Sequence, residues 1–147
     1  MPVFEGYASL FGVADAAGDV VERGAFRTSL ARRGAKGVRM LFQHDPSEPV
    51  GAWLDMREDA KGLFVRGRLA GDVQRARELV ALMREGGIDG LSIGFRAVKA
   101  GRDRATGGRR LREVDLWEVS VVTFPMLAGA RVRAIRPDLP PLPSAKR

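Results

Sequence analysis

Alternation of apolar and polar residues recurs along most of the chain and predicts a fold built mainly from β-strands. The predicted strands cover residues 4–11, 38–43, 50–56, 62–69, 91–96 and 111–124. We expect Pro46 to end the second strand just after His44, because proline restricts the residue before it and cannot donate to a strand ladder. The last predicted strand is apolar on both faces, which is typical of a strand buried inside the fold.

Two segments instead show the spacing of an amphipathic helix. In residues 24–33, two apolar residues lie four positions apart and Gly34 follows as a stop. In residues 72–85, Asp72 stands at the N-cap position and apolar residues repeat at helical spacing. The pattern therefore predicts a mainly β protein with helices (α+β): a compact, mostly antiparallel β-barrel, closed or nearly closed, with one or two helices packed on it.

The length of 147 residues suits one domain with one core, and the composition excludes several kinds of site. Without cysteine there are no disulfides or thiol nucleophiles, and one histidine cannot build a metal site, so we expect no cofactor. No apolar run could span a bilayer and no signal peptide is evident, which predicts a soluble, intracellular protein with no membrane partner. The proline-rich residues 136–147 are expected to form a flexible tail after a domain of residues 1–135.

The formal net charge of +7 indicates attraction to an acidic partner, and both nucleic acid and an acidic protein meet that condition. Basic residues cluster on one predicted hairpin: Arg96, Lys99, Arg102, Arg104, Arg109, Arg110 and Arg112. The cluster supports an alternative hypothesis, a non-catalytic basic β-rich module that binds DNA phosphates or an acidic scaffold. Phe95 is the one aromatic residue in this stretch, which weakens the case for stacking on single-stranded DNA.

Three residues are chemically unusual for the segments that contain them. His44, the only histidine, follows a predicted strand, where a scaffold can hold an imidazole at the mouth of a cleft. Ser92 stands between Gly90 and Gly94, and Glu118 interrupts an apolar strand, where a buried carboxylate is rare unless it is paired. Each also has an ordinary interpretation: a surface histidine, a serine on the inner face of a strand, and a glutamate paired with an arginine.

The residues around Ser92 formally match Gly-x-Ser-x-Gly, the nucleophile elbow of α/β-hydrolases. We do not expect that fold, because the elbow has a strand before its serine and a helix after it, which is the reverse of the order here. Asp115 is not expected to form a carboxylate dyad with Glu118, since strict strand alternation places the two on opposite faces. His44, Ser92 and Glu118 together are the minimum set for a serine hydrolase: a base, a nucleophile and a group that orients the base.

Four short motifs carry a resemblance to a known protein family. They are Phe4-Glu5-Gly6-Tyr7-Ala8, Leu41-Phe42-Gln43-His44-Asp45, Gly90-Leu91-Ser92-Ile93-Gly94-Phe95 and Leu116-Trp117-Glu118-Val119-Ser120-Val121-Val122-Thr123-Phe124-Pro125. In their order and spacing, the chain from Val3 to about Ile135 resembles the prohead maturation proteases of tailed bacteriophages and gene transfer agents. That family is related in fold to the herpesvirus assemblin protease, so the resemblance also implies a compact β-barrel ringed by helices.

The resemblance implies a serine endopeptidase with His44 as the general base, Ser92 as the nucleophile and Glu118 as the third member, which orients His44. The implied partners are the major capsid protein and its scaffolding segment or a separate scaffold, cleaved inside the assembling prohead in the host cytoplasm, with self-cleavage afterwards. The herpesvirus relatives imply a homodimer, and DNA binding is not expected as the main function.

An oxyanion arginine stays unassigned at this point. In the herpesvirus relatives an arginine shortly after the third member serves the oxyanion site through water, but residues 123–130 contain none. Arg131 and Arg133 come later, and backbone N–H groups are an equally open alternative.

Overall fold

The computed structural model describes residues 2–137, and strands dominate that range. The strands are β1 (Val3–Leu10), β2 (Val20–Val21), β3 (Arg39–Phe42), β4 (Asp45–Glu58), β5 (Gly62–Leu69), β6 (Gly90–Arg102), β7 (Arg109–Val122) and β8 (Val132–Arg136). The helices are α1 (Arg27–Arg33) and α2 (Gln74–Arg84), and a 3₁₀ turn covers Ala35–Gly37. Neither of these helices is long and apolar enough to cross a membrane. The prediction of a mainly β fold with helices is confirmed.

Strand β7 has more strand neighbours than a strand in a simple meander, because different parts of it pair on the same side with different strands. The antiparallel strand β6 follows it along nearly its whole length. On its other side β3 and β2 both run parallel to β7, with Arg39 opposite Glu118 and Val20 opposite Arg110. From β3 the sheet continues through the antiparallel strands β4, β5, β1 and β8. Strand β7 therefore joins the hairpin with β6 to the rest of the sheet.

The sheet is mixed and does not close into the predicted barrel. Closure would require a ladder between β6 and β8, which are both bonded to a strand on one side only. Among the described residues these two regions meet at one isolated bridge, between Gly90 and Arg131. Residues 96–102 of β6 are mostly exposed and pair with residues 109–115 of β7. Beside this hairpin β2 pairs with β7 at residues 110 and 111, but the other edge of β6 has no strand partner in the described part of the chain, so the sheet stays open there.

Some local signals in the sequence were misleading. Pro46 does not end a strand: β3 stops earlier, and β4 begins at Asp45 and contains Pro46, whose position has no partner in the ladder with β3. Asp72 is not the N-cap of α2, since Val73 occupies that position without a side-chain cap. Strands β2 and β8 were not predicted, because they are too short to show a clear alternation. The predicted tail lies outside the described residues from residue 138 onward.

Helix α1 is attached to β7 through a nearly buried carboxylate. Asp115 accepts hydrogen bonds from Arg32 at 2.9 Å and from the Nε and Nη2 of Arg33 at 3.1 Å. The indole N–H of Trp117 donates to the same carboxylate at 2.9 Å. The hydrogen bond from Trp117, together with the two arginines, holds the pKa of Asp115 below its ordinary value. The apolar core lies beneath these contacts, where side chains of the sheet pack against both helices.

The side chain of Trp53 fills the space over a glycine on the neighbouring strand. Trp53 of β4 lies opposite Gly67 of β5, is fully buried, and makes an edge-on contact with the ring of Phe4 at 5.4 Å between centroids. A β-carbon at Gly67 would lie 2.8 Å from the Cε3 atom of Trp53, closer than any ordinary contact. The glycine is therefore required by packing, because a large rigid ring occupies the place of its side chain.

We predict that Gly67→Ala destabilises the protein by about 1–3 kcal/mol, the usual range for an overpacked core. The free energy of unfolding, measured by urea denaturation, checks this. Gly87→Ala is the matched control, since a β-carbon there meets Leu82 at an ordinary 3.4 Å. An equal loss of stability in both variants would contradict the packing argument.

Candidate active site

His44 lies in a tight turn between β3 and β4 that has an unusual backbone. Gln43 and His44 have φ angles of 54° and 59°, and they are the only non-glycine residues with positive φ in the described part of the chain. Such a conformation costs on the order of 1–3 kcal/mol for each residue and persists where surrounding contacts impose it. The turn must therefore be stabilised from outside.

The last residues of β7 and the residue after it provide that stabilisation. The backbone N–H of Gln43 donates to the carbonyl of Val121 at 3.0 Å, and that of His44 donates to the Oγ of Ser120 at 3.0 Å. The side-chain amide of Gln43 bonds with Thr123 through the Oγ1 atom at 2.6 Å and the backbone N–H at 3.2 Å. These four hydrogen bonds fix the backbone of His44 relative to β7.

The imidazole of His44 is paired with the carboxylate of Glu118. Its Nδ1 atom lies 2.6 Å from the Oε2 of Glu118, while 43% of the His44 side chain and 12% of the Glu118 side chain are exposed. The hydrogen bond that His44 donates to Glu118 and the negative charge of Glu118 raise the pKa of His44 above the ordinary value of 6.5, against the lowering effect of burial. With Nδ1 bound to Glu118, Nε2 is the ring nitrogen left for other partners.

The carboxylate of Glu118 is held from two further directions. The hydroxyl of Ser120 donates to it, with its Oγ 3.0 Å from Oε1 and 3.2 Å from Oε2. On β6, Gly94 lies opposite Glu118, and a β-carbon at Gly94 would lie only 2.7 Å from the Cδ and Cγ of Glu118. The glutamate side chain therefore lies across the surface that a side chain on β6 would otherwise cover.

Ser92 lies on β6 directly opposite Ser120 on β7. Opposite residues of an antiparallel pair point to the same face, so the two hydroxyl groups share one side of the sheet. Ser92 is 7% exposed and lines a cavity of about 260 Å³ together with His44. The structure thus brings His44 and Glu118 into contact and places Ser92 and His44 on the same cavity.

The cavity has mainly apolar walls and an ion pair among its polar residues. Its apolar lining includes Leu10, Val13, Val21, Leu91, Phe95 and Leu127. Asp19 and Arg109 also line it, and their side chains are joined at 2.8 Å. The hydrogen bond from Arg109 holds the pKa of Asp19 below its ordinary value. This cavity is large enough for one amino-acid side chain beside Ser92.

Asp115 and Glu118 have different partners, as expected, but not for the reason expected. The pairing of β6 with β7 shifts register between Leu116 and Glu118, which leaves Trp117 as an extra residue and interrupts the strict alternation of faces. Asp115 is instead kept apart by its bonds to Arg32 and Arg33. The alternation argument was therefore wrong, because a β-bulge cannot be read from the sequence of one strand.

The two arginines considered for an oxyanion role have other contacts. Arg131 bonds to Asp89 at 2.7 Å and to the carbonyl of Ala128 at 2.8 Å. The guanidinium of Arg133 lies over the ring of Phe64, 5.0 Å from its centroid. Ser120 is not among the predicted site residues, although a buried serine two residues after Glu118 on a strand is the one signal that indicates it.

A known protein family matches nearly the whole chain. The family described as caudovirus prohead serine protease matches residues 1–142. The chain belongs to this family. Within it, the prohead protease of Enterobacteria phage HK97 is 40% identical over 136 residues, which cover 91% of this chain and 60% of that protein. The chain thus spans about three fifths of the length of this relative.

Solved structures of two viral proteases share the fold. The capsid assembly protease of bacteriophage T4 matches with a TM-score of 0.67 and 17% identity, over 82% of this chain and 80% of that one. The protease of Kaposi's sarcoma-associated herpesvirus, bound to a hexapeptide phosphonate inhibitor, matches with a TM-score of 0.58 and 12% identity, over 93% of this chain and 65% of that one. At such low identity these likenesses show the fold alone, and they confirm the expected similarity in fold to herpesvirus proteases.

We predict that Glu118→Gln lowers the pKa of His44 toward or below 6.5, because both contributions that raise it come from Glu118 while burial continues to lower it. Since His44 is the only histidine, an NMR titration of untagged protein reports this value without ambiguity.

The pKa of His44 in the folded protein lies above that in the unfolded protein, so the His44–Glu118 pair stabilises the fold below pH 6.5 and this contribution is lost as pH rises through the raised pKa. The difference in unfolding free energy between wild type and Glu118→Gln should therefore shrink as pH rises from about 6 through the raised pKa of His44. An unchanged pKa of His44 in the variant would refute the pairing.

We also predict that Gly94→Ala lowers the pKa of His44, since the added methyl group would push the Glu118 carboxylate away from Nδ1. Gly101→Ala, on the same strand, is the control: a β-carbon there meets only the flexible end of the Arg112 side chain. The NMR titration of His44 compares the two variants. The argument fails if both variants, or neither, change the titration.

Proposed function

We propose that this chain is the protease domain of a prohead serine endopeptidase that uses Ser92, His44 and Glu118 as a triad. The observation that carries the proposal is the 2.6 Å contact between His44 and Glu118 beside the cavity that Ser92 lines. Membership of the prohead serine protease family supplies the serine-protease class. No metal or cofactor enters the proposed reaction.

Each group has one role in the proposed reaction. The Ser92 hydroxyl attacks the carbonyl carbon of the scissile peptide bond as its proton passes to Nε2 of His44. The tetrahedral intermediate then breaks its C–N bond, and His44 returns the proton to the leaving amine. Water then attacks the acyl-enzyme while His44 accepts its proton, and His44 returns that proton to the Ser92 oxygen as the ester C–O bond breaks. Glu118 stabilises the imidazolium that forms in both stages and holds Nδ1 as the protonated nitrogen.

The proposed substrate is a scaffold protein or the scaffolding segment of the major capsid protein, followed by the protease itself. This rests on the relatives that are named prohead protease and capsid assembly protease. The site of action is then the interior of the assembling prohead in the host cytoplasm. The cavity beside Ser92 accepts one substrate side chain next to the scissile bond. A homodimer, expected from the herpesvirus relatives, stays a prediction.

The alternative of a basic binding module is not favoured. Several cations of the β6–β7 hairpin are already paired with acids: Lys99 with Glu113, Arg109 with Asp19, and Arg110 with Glu22. Pairing of this kind reduces the charge available to phosphate groups. The family match accounts for the chain without such a role.

We predict that Ser92→Ala reduces cleavage of the capsid protein on the order of 10³-fold or more, since members of a triad act as a unit. The chain is co-expressed with its capsid protein, and intact masses and fragments are measured by mass spectrometry. Defined fragments are expected with wild type and none above background with Ser92→Ala.

The control variant is Ser29→Ala, which removes another nearly buried serine hydroxyl, on α1. It is expected to cleave like wild type per folded molecule. Cleavage that persists at the wild-type level in Ser92→Ala would rule out Ser92 as the nucleophile. Circular dichroism of all three proteins checks that the loss of activity is not a loss of fold.

A further inference from the structure

One hydroxyl group contacts both members of the His44–Glu118 pair. Ser120 is completely buried, and its Oγ accepts the backbone N–H of His44 at 3.0 Å while its proton is donated to the carboxylate of Glu118 at 3.0 to 3.2 Å. A hydroxyl can accept and donate at once, so both bonds are compatible with a single orientation of Ser120.

We propose that Ser120 is a positioning residue that sets the geometry of the base and of the acid together, although it takes no part in bond making. The proposal rests on the function proposed for His44 and Glu118. It goes beyond the triad, because it assigns a role to a fourth side chain that acts through His44 and Glu118.

The position of Ser120 in the sheet explains how one residue can do this. It lies on β7 opposite Leu41 of β3 on one side and opposite Ser92 of β6 on the other. His44 comes three residues after Leu41, and Glu118 is two residues before Ser120 on the same strand. The hydroxyl therefore lies where the end of β3, the face of β7 and the Ser92 strand meet.

The contacts of His44 show why the hydroxyl is needed. The left-handed backbone at His44 is held by the Gln43 contacts on one side of the turn and by the Ser120 hydroxyl at its own N–H. Removal of that hydroxyl leaves a donor without its partner and one fewer bond on Glu118. Both changes loosen the 2.6 Å contact between Nδ1 and Oε2, and small displacements at a catalytic site reduce rates about 10²-fold.

The chain contains a closely matched control serine. Ser29 of α1 is also nearly buried, accepts the backbone N–H of Leu116 at 2.9 Å, and donates to the carboxylate of Asp115 at 3.4 Å. Ser29→Ala and Ser120→Ala thus delete the same group with the same two types of partner. Only the second deletion touches the His44–Glu118 pair.

The decisive experiment titrates His44 by NMR in the Ser92→Ala background, which prevents self-cleavage. We expect the raised pKa of His44 to fall toward 6.5 when Ser120→Ala is added and to stay unchanged when Ser29→Ala is added. Glu118 is the source of both contributions that raise this pKa, so the shift reports the geometry of the pair. An unchanged pKa after Ser120→Ala overturns the proposal.

Cleavage assays of the single variant provide an independent measurement. With Ser92 intact, Ser120→Ala is expected to lower kcat about 10- to 100-fold with little change in KM, and to move the pH midpoint of kcat downward. Ser29→Ala is expected to leave the pH midpoint in place even if it lowers stability. A wild-type kcat in Ser120→Ala overturns the proposal.

Two other experimental results also test the role of Ser120. If Ser120→Ala does not fold, the hydrogen-exchange rate of the His44 backbone amide is measured in the Ser92→Ala protein. Strong protection of this amide supports the hydrogen bond to Ser120. Exchange at the rate of an exposed amide overturns the proposal. If Ser92→Ala retains cleavage, the proposed function fails, but the titration of His44 still tests the role of Ser120 by itself.

Discussion

Parallel pairing of β3 with β7 is the constraint on which the site depends. Two parallel strands end at the same edge of the sheet, so the turn after β3 lies beside the last residues of β7. There the Gln43–His44 backbone finds the acceptors that hold it in a left-handed conformation. An antiparallel neighbour would have carried His44 to the opposite edge, away from Glu118 and Ser120. The sheet therefore cannot be rearranged into a simple antiparallel barrel without separating His44 from Glu118.

Strand β6 imposes the second constraint, through a residue that has no side chain. Glu118 can lie across the sheet toward His44 only because Gly94 leaves the space above β6 empty. Two residues before Gly94 on the same strand, Ser92 lies opposite Ser120. The Gly-x-Ser-x-Gly match in the sequence is thus coincidental as a hydrolase elbow, but its second glycine is required by the carboxylate on the neighbouring strand. The glycine acts on the acid of the proposed triad and not on the nucleophile.

The three residues of the candidate site could be predicted from the sequence, because His44, Ser92 and Glu118 are each chemically unusual for the segment that contains them. Most strands and both helices were visible for a similar reason, as each has a period that is clear within a single segment. What could not be predicted depends on contacts between segments. The bulge at Trp117, the parallel position of β3 and the strained turn at Gln43 follow from partners far away in the chain. Ser120 escaped attention because serine is common in strands, and only its two hydrogen bonds distinguish it.

The pairing that holds His44 also opposes its proposed role as a base. Glu118 raises the pKa of His44, so a larger share of the imidazole carries a proton at neutral pH and cannot accept another. In the proposed reaction, the same interaction would stabilise the imidazolium after proton transfer from Ser92 and so lower the barrier. Exposure of the imidazole limits the rise in the pKa of His44, since solvent screens the charge of Glu118 while the cavity is open. A peptide bound in the cavity would displace that solvent and strengthen the pair when the proton moves. Partial exposure of His44 is therefore consistent with catalysis, because the full electrostatic interaction is needed only once the substrate covers the site.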